Sequence, residues 1–309
     1  MKRMKLLFAA LAAAAFAFTA GCQQAATAST QTSAASSTAD VTAISADAVS
    51  AVQTAQAAAS EAYTERDLDP SYEESEAVTV DLSGVTGDYT ITAAGVYVFT
   101  GTLSDGSIIV NAGEDDKVQI VLSGASITNG DGPAIYAVSA DKVFITAAEG
   151  TANTLSDGSS YGADTFGNTP DGAIFSRCDL TLNGSGSLRV DGNYKFGIVC
   201  KDDLVIAELT LDVTAVSDGI SGKDSVSVHS GTITVTAGGD GIVSVNTEDE
   251  TRGSVLVDGG TIVITTGGAG ADSAKGIKAQ VLVTINGGSL TIDAEDDAVH
   301  SGETMTVTG

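Results

Sequence analysis

From Gly197 onward the sequence repeats with a period of 22 residues, and that period restricts the chain to a solenoid before any local propensity is consulted. Each unit opens on a small residue followed by an aliphatic one. Gly197-Ile198, Gly219-Ile220 and Gly241-Ile242 start successive units; after one unit of 35 residues the phase resumes at Gly276-Ile277, and Ala298-Val299 follows. The same apolar runs recur inside the units. Leu204–Ile206 corresponds to Val226–Val228, and Leu211–Val213 to Ile233–Val235, Ile262–Ile264 and Leu290–Ile292.

Apolar and polar residues alternate within these runs, the pattern of a half-buried strand. Gly, Asp, Asn and Ser separate them, as in Gly238-Gly239-Asp240-Gly241 and Asn286-Gly287-Gly288. Such residues reach the backbone conformations that tight corners need. Short strands and corners repeating every 22 residues make the coil of a single-stranded parallel β-helix, all-β in class. One coil cannot bury its own apolar face, but coils stacked about 4.8 Å apart share a continuous core. A calcium-binding β-roll would repeat every nine residues or so. A leucine-rich repeat would show Leu-x-x-Leu-x-Leu and a helical segment, and neither is present.

Earlier coils are less regular. Ala134-Ile135 and Ala173-Ile174 are equivalent starts, and Leu180–Leu182 stacks under Leu204–Ile206. Tyr89–Thr92, Val96–Thr100, Ile108–Asn111 and Val118–Ser123 form the first coils. Two insertions interrupt the stack, Ala147–Gly172 and Asn246–Gly253, and such insertions become side loops suited to binding residues. The four residues Ile198, Ile220, Ile242 and Ile277 are expected to point inward as one aliphatic ladder.

The N-terminus reads as an export signal. Lys2, Arg3 and Lys5 precede an apolar run, Leu6–Phe18, too short to span a membrane comfortably. Thr19-Ala20-Gly21-Cys22 then resembles a lipobox, with Thr19 in place of the usual Leu. Residues 1–21 are expected to be a lipoprotein signal peptide, and 22–66 a flexible Ala/Ser/Thr/Gln-rich tether lipidated at Cys22. Residues 67–309 form the β-helix, held to the outer face of a cell membrane by the lipid alone. The last unit stops part-way round a coil at Thr306-Val307-Thr308-Gly309, so further coils are expected beyond it. Cys178 and Cys200 fall on diagonal positions of adjacent coils, where a disulfide is geometrically marginal and its formation stays open. With 14 basic and 40 acidic residues the net charge is −26, which excludes nucleic acid as a natural partner. The chain is expected to act as a monomer.

An ordered string of motifs carries a family resemblance: Ala134-Ile135-Tyr136, Asn153-Thr154-Leu155-Ser156-Asp157-Gly158, Ala173-Ile174-Phe175-Ser176, Asp179-Leu180-Thr181-Leu182-Asn183-Gly184 and Asp218-Gly219-Ile220-Ser221-Gly222-Lys223-Asp224. Over residues 76–309 the sequence resembles a family of bacterial extracellular carbohydrate-binding β-helix proteins. The resemblance implies a right-handed helix like that of pectate lyases, bound calcium and polysaccharide binding. The chain departs from the family pattern at Arg177-Cys178 and at Tyr194-Lys195-Phe196.

Three constellations are candidates for chemistry. Asp218 and Asp240 each stand one residue before a coil start and should stack; Asp296 and Asp297 occupy the last coil start. A calcium ion would relieve the repulsion between stacked carboxylates, whereas a plain Asp-Gly turn explains each one singly. Arg177, Lys201 and Lys223 fall in register as a basic row, either a stripe that meets polymer carboxylates or a ladder of exposed ion pairs. Tyr161 and Tyr194, with Phe166 and Phe196, can present faces to sugar rings, while Tyr136 and Phe175 are placed to stack on each other. No nucleophile elbow or serine triad is present. A general base drawn from the basic row would need a depressed pKa, and the neighbouring carboxylates act in the other direction. The expected function is therefore non-catalytic, calcium-assisted binding of an extracellular polysaccharide, an acidic pectin-like uronan or cellulose. A calcium-dependent lyase and a surface adhesin or spacer without a sugar ligand are the alternatives.

Overall fold

A computed structural model describes residues 5–7, 62–268 and 273–308. The described chain winds into a parallel β-helix with three columns of strands. Nine strands from Tyr89–Ile91 to Val299–Ser301 form the first column as one parallel sheet. The second column includes Lys142–Ala147, Asp179–Asn183, Asp203–Ile206, Ser225–Val228, Ser254–Val257 and Leu282–Ile285. The third includes Ala152–Ser156, Ser187–Gly192, Leu209–Ala215, Gly231–Ala237, Thr261–Thr266 and Ser289–Asp293.

The repeat alignment is the strand register. Ile135, Ile174, Ile198, Ile220, Ile242 and Ile277 pair in sequence down the first column. All six are buried, as the inward ladder requires. Leu180 pairs with Leu204, and Leu211, Ile233, Ile262 and Leu290 line up in the third column. Alternation makes these the core and sends the intervening residues outward.

The small residue at each coil start has a steric cause. A Cβ added at Gly219 would lie 2.3 Å from Val235 Cγ1 and 2.8 Å from the carbonyl oxygen of Gly241. The backbone of one coil passes too close to the next for a side chain. Ala134, Ala173 and Ala298 occupy the same position on other coils.

Two boundaries differ from the sequence reading. Ala152–Ser156, inside the proposed first insertion, is a strand of the third column, so the loop proper is residues 157–171. Residues 62–66, grouped by composition with the tether, are placed against the solenoid. Thr64 caps a short helix, Glu65–Leu68, through a reciprocal capping box with Asp67. Asp67 is buried against the second column, 2.6 Å from Lys142 Nζ, and accepts from Thr181 Oγ1 at 2.5 Å. Arg66 lies over the Phe144 ring, and its guanidinium donates to Gln119 Oε1 at 2.6 Å. The outward-facing Gln119, Phe144 and Thr181 are thereby covered. The rest of the tether, Cys22 with it, lies outside the described residues. So does the export signal apart from Lys5–Leu7, a short strand antiparallel to Ser289–Asp293.

Cys178 and Cys200 are both free and buried. The Cys200 thiol donates to the carbonyl oxygen of Cys178 at 3.2 Å rather than bonding its sulfur. Burial pushes the Cys178 thiol up to about 11 and raises Cys200 as well.

Candidate functional site

The outward residues of the first column make an unusual surface. Ile109, Tyr136, Phe175 and Val199 stack on successive coils and form a second apolar cluster, outside the solenoid core. Loop 157–171 folds over part of it. Phe166 meets Tyr136 edge-on at 5.6 Å, and Asn168 Nδ2 donates to the Tyr136 hydroxyl at 2.6 Å. Tyr136 and Phe175 are in T-shaped contact at 5.7 Å, the mutual packing expected of that pair. Burial pushes the Tyr136 phenol up to about 12.

Loop 157–171 also brings Tyr161 onto Tyr194, with ring centroids 4.5 Å apart and planes 25° from parallel. Two candidate sugar-contact residues, 33 positions apart in the chain, thus form one aromatic unit. Buried Asp157 holds it in place, accepting from the Tyr161 hydroxyl at 2.7 Å and from the backbone N–H of Asn193 at 2.5 Å. Lys195 Nζ stands 4.9 Å over the Tyr194 ring. Beside this unit Asp171 keeps one buried carboxylate oxygen without a hydrogen-bond partner among the described residues, 4.0 Å from Lys201 Nζ. Desolvation raises the Asp171 carboxyl, against the pull of Lys201 and Lys195.

The basic row exists in register. Arg177, Lys201 and Lys223 follow the first-column strands on three successive coils, their backbone N–H groups donating to the coil before. Their surroundings differ. Arg177 is exposed and enters no ion pair among the described residues. Lys201 lies 5.3 Å over the Phe175 ring. Lys223 pairs at 2.5 Å with Glu248 of loop 246–253, and that hydrogen bond raises its pKa.

The aspartate row has a structural occupation. Asp218 Oδ1 accepts the backbone N–H of Asp240 at 2.8 Å, and Asp240 Oδ1 accepts that of Lys275 at 2.8 Å. The other Asp240 oxygen pairs with Lys278 Nζ at 2.8 Å. Asp296 pairs with Lys275, and Asp297 with His300 at 3.1 Å. Each stacked Asp thus caps the following coil, the same device that links Asp88 to Ser107 and Asp105 to Gly130. Lysines and backbone N–H groups stand where a cation between the carboxylates was expected. The basic residues of this row, Lys275 and Lys278, went unnoticed because the 35-residue unit breaks the visible period.

A different acidic group brings three carboxylates close together. Asp179, Asp202 and Asp203, at the corner beside the basic row, offer carboxylate oxygens all within 4.8 Å of one another. Desolvation, then the Asp179 charge and the other neighbouring carboxylates, push Asp202 up to about 6. Ser225 Oγ donates to Asp203 at 2.6 Å. Arg252 bonds to Asp224 and stands 3.5 Å from Asp202, supplying part of the missing counter-charge. The sequence carries a signal for this group, an Asp-Asp pair after Lys201 with Asp179 one coil earlier.

Comparison with known proteins bears on this surface. A family model described as carbohydrate-binding domain-containing protein matches residues 86–273 and 268–309. A protein of that description from Acetivibrio thermocellus is 40% identical over 126 residues, which cover 40% of this chain and 44% of that relative's length. A solved structure, a polysaccharide lyase-like protein from C. thermocellum obtained as a gadolinium derivative, superposes with a TM-score of 0.70 at 32% identity, covering 75% of this chain and 96% of its own.

Proposed function

The chain belongs to the carbohydrate-binding domain-containing family, and on that premise we propose that it binds an acidic, uronan-type polysaccharide through calcium, without cleaving it. The observation that carries the reading is the adjacency of two opposite features on one corner. Arg177 and Lys201 offer cations to polymer carboxylates, and one or two residues further on Asp179, Asp202 and Asp203 offer oxygens to calcium. A doubly charged ion with oxygen ligands suits three clustered carboxylates, one of which resists ionisation in its absence. The ion would supply charge neutralisation and a bridge to the polymer. The Tyr161–Tyr194 pair would pack against sugar C–H faces, and Lys195 and Lys201 would orient acidic groups along the first column. Binding along a solenoid sums many weak contacts on one extended chain. In this proposal the protein is a monomer, held to the outer face of the cell membrane by a lipid on Cys22.

The test is retention of the mature domain on polygalacturonate, with calcium and with chelator, alongside the absorbance of unsaturated products. Calcium-dependent retention without product is expected. Product formation would replace binding by a lyase reaction; no retention on a broad glycan panel would leave a spacer or adhesin.

A further inference from the structure

One outward row of the second column is buried coil after coil. Phe144, Thr181, Val205, Ser227, Leu256 and Thr284 are consecutive register partners. Alternation turns all six away from the solenoid core, yet every one is buried. The equivalent row of the third column is Arg189, Asp212, Thr234, Val263 and Thr291, and none of these is buried; Val263 is 38% exposed. Stacking on neighbouring coils therefore does not by itself bury an outward side chain. The second-column row also carries no charge, in a chain of net charge −26. Leu282, two residues before Thr284 and outward like it, is buried with Val281 in a cluster separate from the main core. The buried Thr284 hydroxyl has no hydrogen-bond partner among the described residues.

The helix Glu65–Leu68 and its flanks cover the start of this row, and their course gives the direction of what precedes them. Arg66 lies over Phe144, Asp67 meets Thr181, and the Tyr63 ring packs edge-on against His229 at 5.1 Å. His229 directly follows the strand that carries Ser227. Traced back from Arg66, the chain thus moves towards the later coils, where Leu256 and Thr284 lie. The sequence before Tyr63 suits that face. Val41, Ile44, Ala48, Val52, Ala55 and Ala59 recur at three- and four-residue steps, the spacing of one helical face. Asp47 and Glu61 fall on the opposite side of the same helical projection. Residues 41–61 wound as a helix would be about 30 Å long, and the coils from Val205 to Thr284 rise about 14 Å, so the segment can cover them all.

We propose that residues 41–61 of this chain dock as an amphipathic helix on the outward face of the second column, over Val205, Ser227, Leu256 and Thr284. The docked helix extends the contact that Asp67 fastens. Much of the Ala/Ser/Thr/Gln-rich stretch then serves as a brace along the solenoid, and only the part before it serves as a spacer. The proposal does not depend on the calcium or the polysaccharide reading.

The test is thiol labelling of the chain from residue 22 onward, with Cys22→Ser and a water-soluble maleimide as probe. Cys178 and Cys200 are buried and act as internal controls, staying unlabelled while the solenoid is folded. Ser227→Cys should react at least about tenfold more slowly than Thr232→Cys on the exposed third column. Adding Ile44→Lys and Val52→Lys together should abolish that protection, because two cations would enter the apolar contact. The conservative pair Ile44→Val and Val52→Ile should leave it in place. Equal labelling of Ser227→Cys and Thr232→Cys in the chain without the lysines would overturn the proposal, since the face would be open. Protection that survives the lysine pair would overturn it as well: if lost on dilution, a second copy of the chain is the occupant, and if not, another part of the same chain is.

Discussion

Removing the Asp67 carboxylate should detach the N-terminal segment from the side of the solenoid. Asp67 is 1% exposed, and its partner Lys142 is 14% exposed. Breaking a buried pair by deleting one member typically costs about 3–5 kcal/mol, because the remaining charge is left without compensation. Asp67→Ala also removes the acceptor for Thr181 Oγ1 and half of the capping box at Thr64. The segment can lift away and let water reach Lys142, so the loss is limited to the docking energy of residues 62–70. A value near the lower end, about 3 kcal/mol, is therefore expected. Hydrogen exchange should show it as faster exchange of backbone amides in residues 64–70, with the third column unaffected. A double-mutant cycle with Lys142→Met should recover part of the loss, since it removes the orphaned charge. The pH dependence has a definite sign. Burial raises the Asp67 carboxyl, but hydrogen bonds from Lys142, Thr181 and the Thr64 backbone outweigh it and hold the pKa below its ordinary value. A depressed folded-state pKa gives stability that is present above the unfolded value and disappears as pH falls through the folded one. Docking should thus persist at neutral pH and fail in acid, below about pH 4. If Asp67→Ala changed exchange at residues 64–70 by less than about twofold, equivalent to about 0.4 kcal/mol, the assignment of the ion pair as the fastening would be wrong.

Gly219→Ala should destabilise the solenoid by about 1–3 kcal/mol through overpacking, read as a lower denaturant midpoint, because its Cβ meets both Val235 and the Gly241 carbonyl. Asp202, raised to about 6, gives the opposite pH trend to Asp67: without calcium, stability should rise as pH falls through 6 towards the unfolded carboxylate value, and saturating calcium should flatten the curve. Thermal melts at several pH values with calcium and with chelator measure this, and identical slopes in both would refute it. Tyr194→Ala removes the partner on which Tyr161 stacks, so affinity for polygalacturonate should fall about tenfold in titration calorimetry while the melting temperature changes little. Unchanged affinity would remove the aromatic pair from the site.

The repeat was legible to the level of register because every coil states it again. Ile198, Ile220, Ile242 and Ile277 are equivalent in sequence and in space, and one correct alignment fixes all the pairings. Features that occur once have no such redundancy. Asp67 reaches Thr181 across 114 residues, and nothing periodic marks either of them. The stacked aspartates were found, but their partners were not. A backbone N–H one coil away leaves no trace in a sequence, so the capping contacts that Asp218 and Asp240 make were not legible there. The basic row was visible as spacing, whereas the ion pair that engages Lys223 depends on how loop 246–253 folds back. The pairing of Tyr161 with Tyr194 likewise depends on the path of loop 157–171, which buried Asp157 fixes.

A crystal of the domain grown with calcium and an oligogalacturonate would show whether calcium at Asp179, Asp202 and Asp203 joins this protein to an acidic polysaccharide. The expected result is an ion with carboxylate oxygens at about 2.3–2.6 Å, a uronate oxygen in the same coordination sphere, and Lys201 beside the sugar. An oligosaccharide bound elsewhere, with no ion at these three residues, would contradict it.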